Sequence, residues 1–82
     1  MKPRRRWPET LLDAICEAIR ERRKKLGLSI YALSQSSGVS QQAIGYYERK
    51  QRRPSLECLA KVARALDWEL SELVAEAESR ID

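Results

Sequence analysis

Residues 28–48, LSIYALSQSSGVSQQAIGYYE, constrain the fold more than any other stretch of the chain. Two short segments with a helical pattern flank Gly38. Ser29 can cap the first segment by accepting a hydrogen bond from a backbone N–H of its opening turn. Ala32 and Leu33 are the residues that segment buries. Gly38 can adopt the positive φ that ends a helix and turns the chain without a Cβ penalty. Ser40 then caps a second segment. In it Ile44 and Tyr47, three residues apart, share one face, while Gln41, Gln42, Gly45, Tyr46 and Arg49 fall on the other. One face can dock on a small core. The other offers amides, a phenol and a cation, which suits a helix whose outer face enters a major groove.

The flanking sequence continues the helical pattern. A first helix is expected to start between Pro8 and Thr10 and to end near Leu26. Its start has two readings: Pro8 in the first turn, or Thr10 as a cap with Asp13 three residues on. Leu12, Ile15, Ile19 and Leu26 carry its 3.6-residue period, and Leu11 lies off that stripe. Arg22, Arg23, Lys24 and Lys25 suit the negative end of the helix dipole, and Gly27 stops the helix. The remaining expected helices cover 30–36, 41–49, 56–66 and 70–78. Leu56, Leu59, Val62, Ala63 and Leu66 form the fourth stripe, capped by Ser55. Leu70, Leu73, Val74 and Ala77 form the fifth, with Trp68 just before it.

Size and charge narrow the classes further. With 82 residues the expectation is one domain with a small core, and without Phe that core must be aliphatic. No apolar run reaches a membrane span, and the charged N-terminus has no apolar segment behind it, so a cytoplasmic location is expected. The net charge is +4, and it is unevenly spread: net +8 over residues 1–53 and net −4 over residues 54–82. A basic half suits phosphates. Residues 1–8, with Arg4, Arg5 and Arg6, form a basic arm; it either reaches a minor groove or phosphates, or is a solvated tail. Trp7 is placed as a lid over the start of the first helix. Cys16 and Cys58 are far apart in sequence and there is no His. A structural zinc site lacks ligands, and no nucleophile–base pair or phosphate-cradling glycine loop is present. The expectation is therefore no enzyme, no metal, no cofactor and no small-molecule ligand.

The residues 28–48 resemble the helix-turn-helix of the phage-repressor and Cro (Xre-like) family, which wants the residue types found at Leu33, Ser34, Gly38, Val39, Ile44 and Tyr47. The likeness extends from about Ile15 to Val74, through the Arg22–Ser29 segment and through Pro54, Ser55, Leu56, Leu59, Val62, Ala63, Ala65, Leu66, Leu70 and Leu73. It implies an all-α, five-helix, lambda-repressor-like DNA-binding domain over residues 9–78, with the basic arm at 1–8 and a C-terminal tail at 79–82. It also implies roles. Gln41 and Gln42 would contact bases, with Tyr46 one turn later on the same face. Tyr31, Ser40, Arg49, Lys50, Arg52, Arg53 and Ser55 would contact phosphates. Arg23 would pair with Glu48 across the structure. Trp68, Leu70, Leu73 and Val74 would form a dimer interface.

The chain departs from the family pattern in places. Ile30 stands where a phosphate-touching glutamine is usual, and Tyr31 could replace it. Gly45 stands where serine is commoner, which points to close approach to DNA or to tolerance. The loop glycine is missing, so Lys50 or Gln51 takes an uncommon backbone angle. Asp67 stands where glycine is preferred and tolerates the left-handed region. The resemblance implies a sequence-specific transcriptional regulator, a repressor, binding double-stranded DNA as a homodimer on a palindromic operator. The rival is an antitoxin-type module that binds a partner protein and regulates its own operon. The expected chain end soon after the fifth helix speaks against the rival.

Overall fold

The computed structural model describes residues 9–81, with side chains from residue 11 onward. The basic arm with Arg4, Arg5 and Arg6, Trp7, the Thr10 side chain and the last residue lie outside the described residues. Five helices follow one another: α1 (Glu9–Lys25), α2 (Ile30–Ser37), α3 (Gln41–Glu48), α4 (Leu56–Ala65) and α5 (Leu70–Ile81). None of the described helices is long and apolar enough to cross a membrane.

The helix boundaries follow from local chemistry. Ser29, Ser40 and Ser55 each cap a helix, their Oγ atoms accepting from the backbone N–H of Ala32, Ala43 and Cys58 at 2.9, 3.1 and 3.1 Å. Gly38 ends α2 at φ +78°, donating its N–H to the Ser34 carbonyl at 2.9 Å. At the end of α1, Gly27 has φ +73°; Gly27 N donates to Lys24 O and Leu28 N to Arg23 O, both at 3.0 Å. This pair of bonds satisfies carbonyls that the helix end leaves open. The same pairing closes α3 around Lys50 and α4 around Asp67, at φ 62° and 63° without glycine. The missing loop glycine and the Asp67 substitution therefore leave the turn geometry intact and add backbone strain.

The packing is built on α1 lying along α5, with α2 set against α3 and α4. Ile19, Leu33, Ile44, Leu66, Leu73, Val62 and Cys16 are its most deeply buried large side chains. The core is aliphatic, as a chain without Phe requires. Four expected stripe residues lie outside it: Leu12 and Val74 are half-buried, Leu26 is 42% exposed and Leu56 is 69% exposed, while Leu11, expected off the stripe, packs against the core. Leu26 sits in the turn past the end of α1, and Leu56 is the first residue of α4, so both fit the period without reaching the core. Small residues fill the α1 face instead, with Ala14, Cys16 and Ala18 all buried.

Four helix ends, those of α1 to α4, shift by one residue, which is within ordinary boundary variation. The α5 end shifts more, to Ile81 rather than 78. Arg80 there donates to Glu21 of α1 at 2.9 Å and lies 3.3 Å from Glu76, while Ile81 packs against the core. Tertiary contacts hold a last turn that the apolar period does not reveal.

Candidate nucleic-acid interface

The surface around α3 is set by what anchors it underneath. Ile44 and Tyr47 are buried, and Gln41 and Gln42 are exposed on the opposite side. The end of α3 is pinned to α1. Arg23 Nε and Nη2 donate to Glu48 Oε2 and Oε1 at 2.7 and 2.8 Å, and Nη1 donates to the Leu28 carbonyl at 2.8 Å. The two side chains are only 11% and 5% exposed. The hydrogen bond to Glu48 raises the Arg23 pKa further, so the guanidinium is permanently charged. One arginine thus ties the end of α1, the α1–α2 turn and the end of α3 together.

Above this anchor the outward residues contact one another. Gln42 Nε2 donates to the Tyr46 hydroxyl at 3.2 Å. Two guanidiniums lie over the Tyr46 ring, that of Arg49 at 5.6 Å and that of Arg52 at 4.8 Å from its centroid. Arg49 Nε donates to Gln51 Oε1 at 3.0 Å. Gly45, although outward, is buried, because the Arg49 guanidinium covers it. Sequence reasoning placed Arg52 in a phosphate-binding loop and did not see that it also braces Tyr46.

The cations and hydroxyls expected to meet phosphates are placed as follows. Tyr31 is 58% exposed on α2, and its neighbour Ile30 packs against the core, which accounts for the loss of the usual glutamine. Ser40 accepts from its own helix and keeps its O–H to donate outward, whereas the Ser55 hydroxyl, which also accepts from its helix, donates to Cys58. Arg52 and Arg53 are exposed in the α3–α4 loop. Lys50 Nζ instead holds Glu17 Oε2 of α1 at 2.7 Å, and that hydrogen bond raises the lysine pKa. The pair is substantially exposed, so it is weak and can yield to a phosphate.

The far side carries the residues expected at a dimer interface. Trp68, Leu70 and Val74 are half-buried. Leu73 is a correction: it is 0% exposed and belongs to the monomer core. The indole of Trp68 is partly used within the chain, with the Arg22 guanidinium 4.7 Å from the ring and Arg22 Nε donating to the Leu66 carbonyl at 3.0 Å.

Both cysteines are free thiols. Burial first, and then the Asp13 charge, push Cys16 up to about 11. Hydrogen bonds from Ser55 and Tyr47 lower the pKa of Cys58. Among the described residues no group of three or more His, Cys, Asp or Glu could hold a metal ion.

Comparison with known proteins converges on this geometry. A family model described as helix-turn-helix matches residues 19–73. The restriction-modification controller protein C.AhdI from Aeromonas hydrophila is 40% identical, with a TM-score of 0.71, and the match covers 76% of this chain and 94% of that one. The clp gene regulator ClgR from Corynebacterium glutamicum is 30% identical, with a TM-score of 0.79, covering 87% and 76% of the two chains. The DNA-binding domain of the P22 C2 repressor is 39% identical, with a TM-score of 0.67, covering 72% and 78%. No curated protein matches significantly.

Proposed function

Because the chain belongs to the phage-repressor and Cro (Xre-like) helix-turn-helix family of DNA-binding transcriptional regulators, we propose that it is a repressor that binds a palindromic operator as a homodimer, with α3 of each protomer in the major groove. The observation that carries this reading is the division of α3. Its inner face is sealed into the core, and its outer face shows Gln41, Gln42 and a Tyr46 ring braced by two arginines. Gln41 and Gln42 bond adenine through N6 and N7, and Tyr46 meets a thymine methyl or the backbone.

Tyr31, Ser40, Arg49, Lys50, Arg52, Arg53 and Ser55 hold phosphates and set register without reading sequence. Arg4, Arg5 and Arg6 of the arm add contacts to phosphates or to a minor groove. Trp68, Leu70 and Val74 supply the dimer contact, on the half of the chain where net negative charge keeps DNA away. The regulator works in the cytoplasm, without cofactor or small-molecule ligand.

Selection of binding sites from a random duplex pool at near-physiological salt tests this. The expected result is a palindromic consensus with half-sites about one helical turn apart. Retention without a consensus would leave only counterion release as the source of affinity and would turn the search to the protein-partner alternative.

A further inference from the structure

We infer that Glu17 holds Lys50 in the place of a DNA phosphate, and so sets the affinity for every duplex; the inference rests on the operator-binding reading above. Binding then exchanges an ion pair within the chain for one with the DNA. The half of the chain up to residue 53 is basic, and the acids whose side chains are described there are Asp13, Glu17, Glu21 and Glu48. Arg23 takes Glu48, and Arg80 takes Glu21. Glu17 instead takes Lys50, at 2.7 Å, a cation of the loop that follows α3. Asp13 lies one turn before Glu17 on the same face of α1. The hydrogen bond to Glu17 leads in raising the lysine pKa and the Asp13 charge adds to it, so both carboxylates act on this one ammonium.

The pair differs from Arg23–Glu48 in what it permits. That pair is bidentate and buried. Lys50–Glu17 has a single contact, between side chains 39% and 49% exposed. An ammonium on a flexible four-carbon stem is a point charge with rotatable donors, so it can turn from a carboxylate to a phosphate while the backbone stays still. That backbone is already fixed. Lys50 closes α3 at φ 62°, with Lys50 N donating to Tyr47 O at 3.0 Å and Gln51 N to Tyr46 O at 2.8 Å. Glycine would take the same angle without a Cβ penalty, so what the lysine adds is its side chain alone. The exchange acts on phosphates and is blind to base sequence. Its size is limited, because exposed pairs are weak and salt screens them. Glu17 also repels phosphates, but that second effect is present whether or not Lys50 is, so the two can be measured apart.

The test measures the affinity of the full chain for the selected operator and for a shuffled duplex, by anisotropy at low and at near-physiological salt, with Glu17→Gln, Lys50→Met and the double variant. Both positions are exposed, and Lys50→Met keeps the stem, so the variants fold, which circular dichroism verifies. Glu17→Gln should tighten both duplexes by about two- to fivefold, with their ratio unchanged and the gain smaller at the higher salt. Lys50→Met should weaken both and lower the salt slope by about one. In the Lys50→Met background the gain from Glu17→Gln should be clearly smaller, because no cation is left to release. An equal gain in both backgrounds would mean that Glu17 only repels DNA, and the inference falls. A Glu17→Gln chain that binds no tighter would overturn it as well, since the pair would then be a strut for the loop. It falls too if Lys50→Met leaves affinity and salt slope unchanged. A wild type without any consensus would overturn the operator reading itself; the exchange would still be read on the shuffled duplex, which separates the two failures.

Discussion

Replacing Glu48 by alanine should destabilise the domain strongly, because it leaves Arg23 charged and half-paired. The magnitude follows from burial. Exposed ion pairs contribute about 0–1 kcal/mol, whereas breaking a buried pair by removing one partner costs about 3–5 kcal/mol. With side chains 11% and 5% exposed, this bidentate pair lies near the buried limit. Arg23 retains its bond to the Leu28 carbonyl after the change. We therefore expect a loss of roughly 2–4 kcal/mol, from a domain whose total stability is of the order of 5–10 kcal/mol. In a domain of this size that lowers Tm by at least about 10 °C. The assay is a double-mutant cycle by urea and thermal denaturation, using Arg23→Met, Glu48→Leu and the double variant. A coupling of about 2 kcal/mol or more is expected, and screening by salt should reduce it little. Losses that add to within about 0.5 kcal/mol would refute the reasoning, since the two residues would then act independently.

Further outcomes follow from other features. Gly38→Ala should cost about 1 kcal/mol by chemical denaturation, because φ is +78° and no heavy atom stands within 4 Å of the added Cβ, so the penalty is purely conformational. Asp67→Gly should stabilise by about 0.5–1 kcal/mol, because it relieves a residue held at φ 63°. Cys16 stays protonated when folded up to about pH 11 but ionises near its ordinary value of 9.0 when unfolded. Its contribution is thus complete below pH 9 and is lost as pH rises to 11, so the stability of Cys16→Ala should fall less steeply across that window than that of the wild type. Arg52→Ala should weaken binding to all sequences alike and lower the salt slope by about one, read by anisotropy titrations at several salt concentrations.

What was legible in the sequence was local. Ser29, Ser40 and Ser55 as caps and Gly38 as a stop depend on a few neighbouring residues, and those neighbours are visible in the chain order. The Arg23–Glu48 pair, 25 residues apart, came from family likeness and not from spacing. Contacts without such a precedent stayed hidden. Lys50 with Glu17 and Arg80 with Glu21 join residues 33 and 59 apart, and only the folded chain brings them together. Leu73 shows the limit of periodicity. An apolar edge on α5 says that something covers it, but not whether α1 or a second chain does. Gly45 shows another limit, since its burial depends on where the Arg49 side chain lies.

The most direct test of the central claim, that the outer face of α3 reads base edges, is the ratio of affinities for the selected operator and a shuffled duplex at fixed salt. The account predicts a ratio of at least about a thousandfold for the wild type. In the Gln41→Ala, Gln42→Ala double variant that ratio should collapse by roughly ten- to a hundredfold or more, while affinity for the shuffled duplex and its salt slope stay unchanged. A double variant that keeps the full ratio would contradict the account.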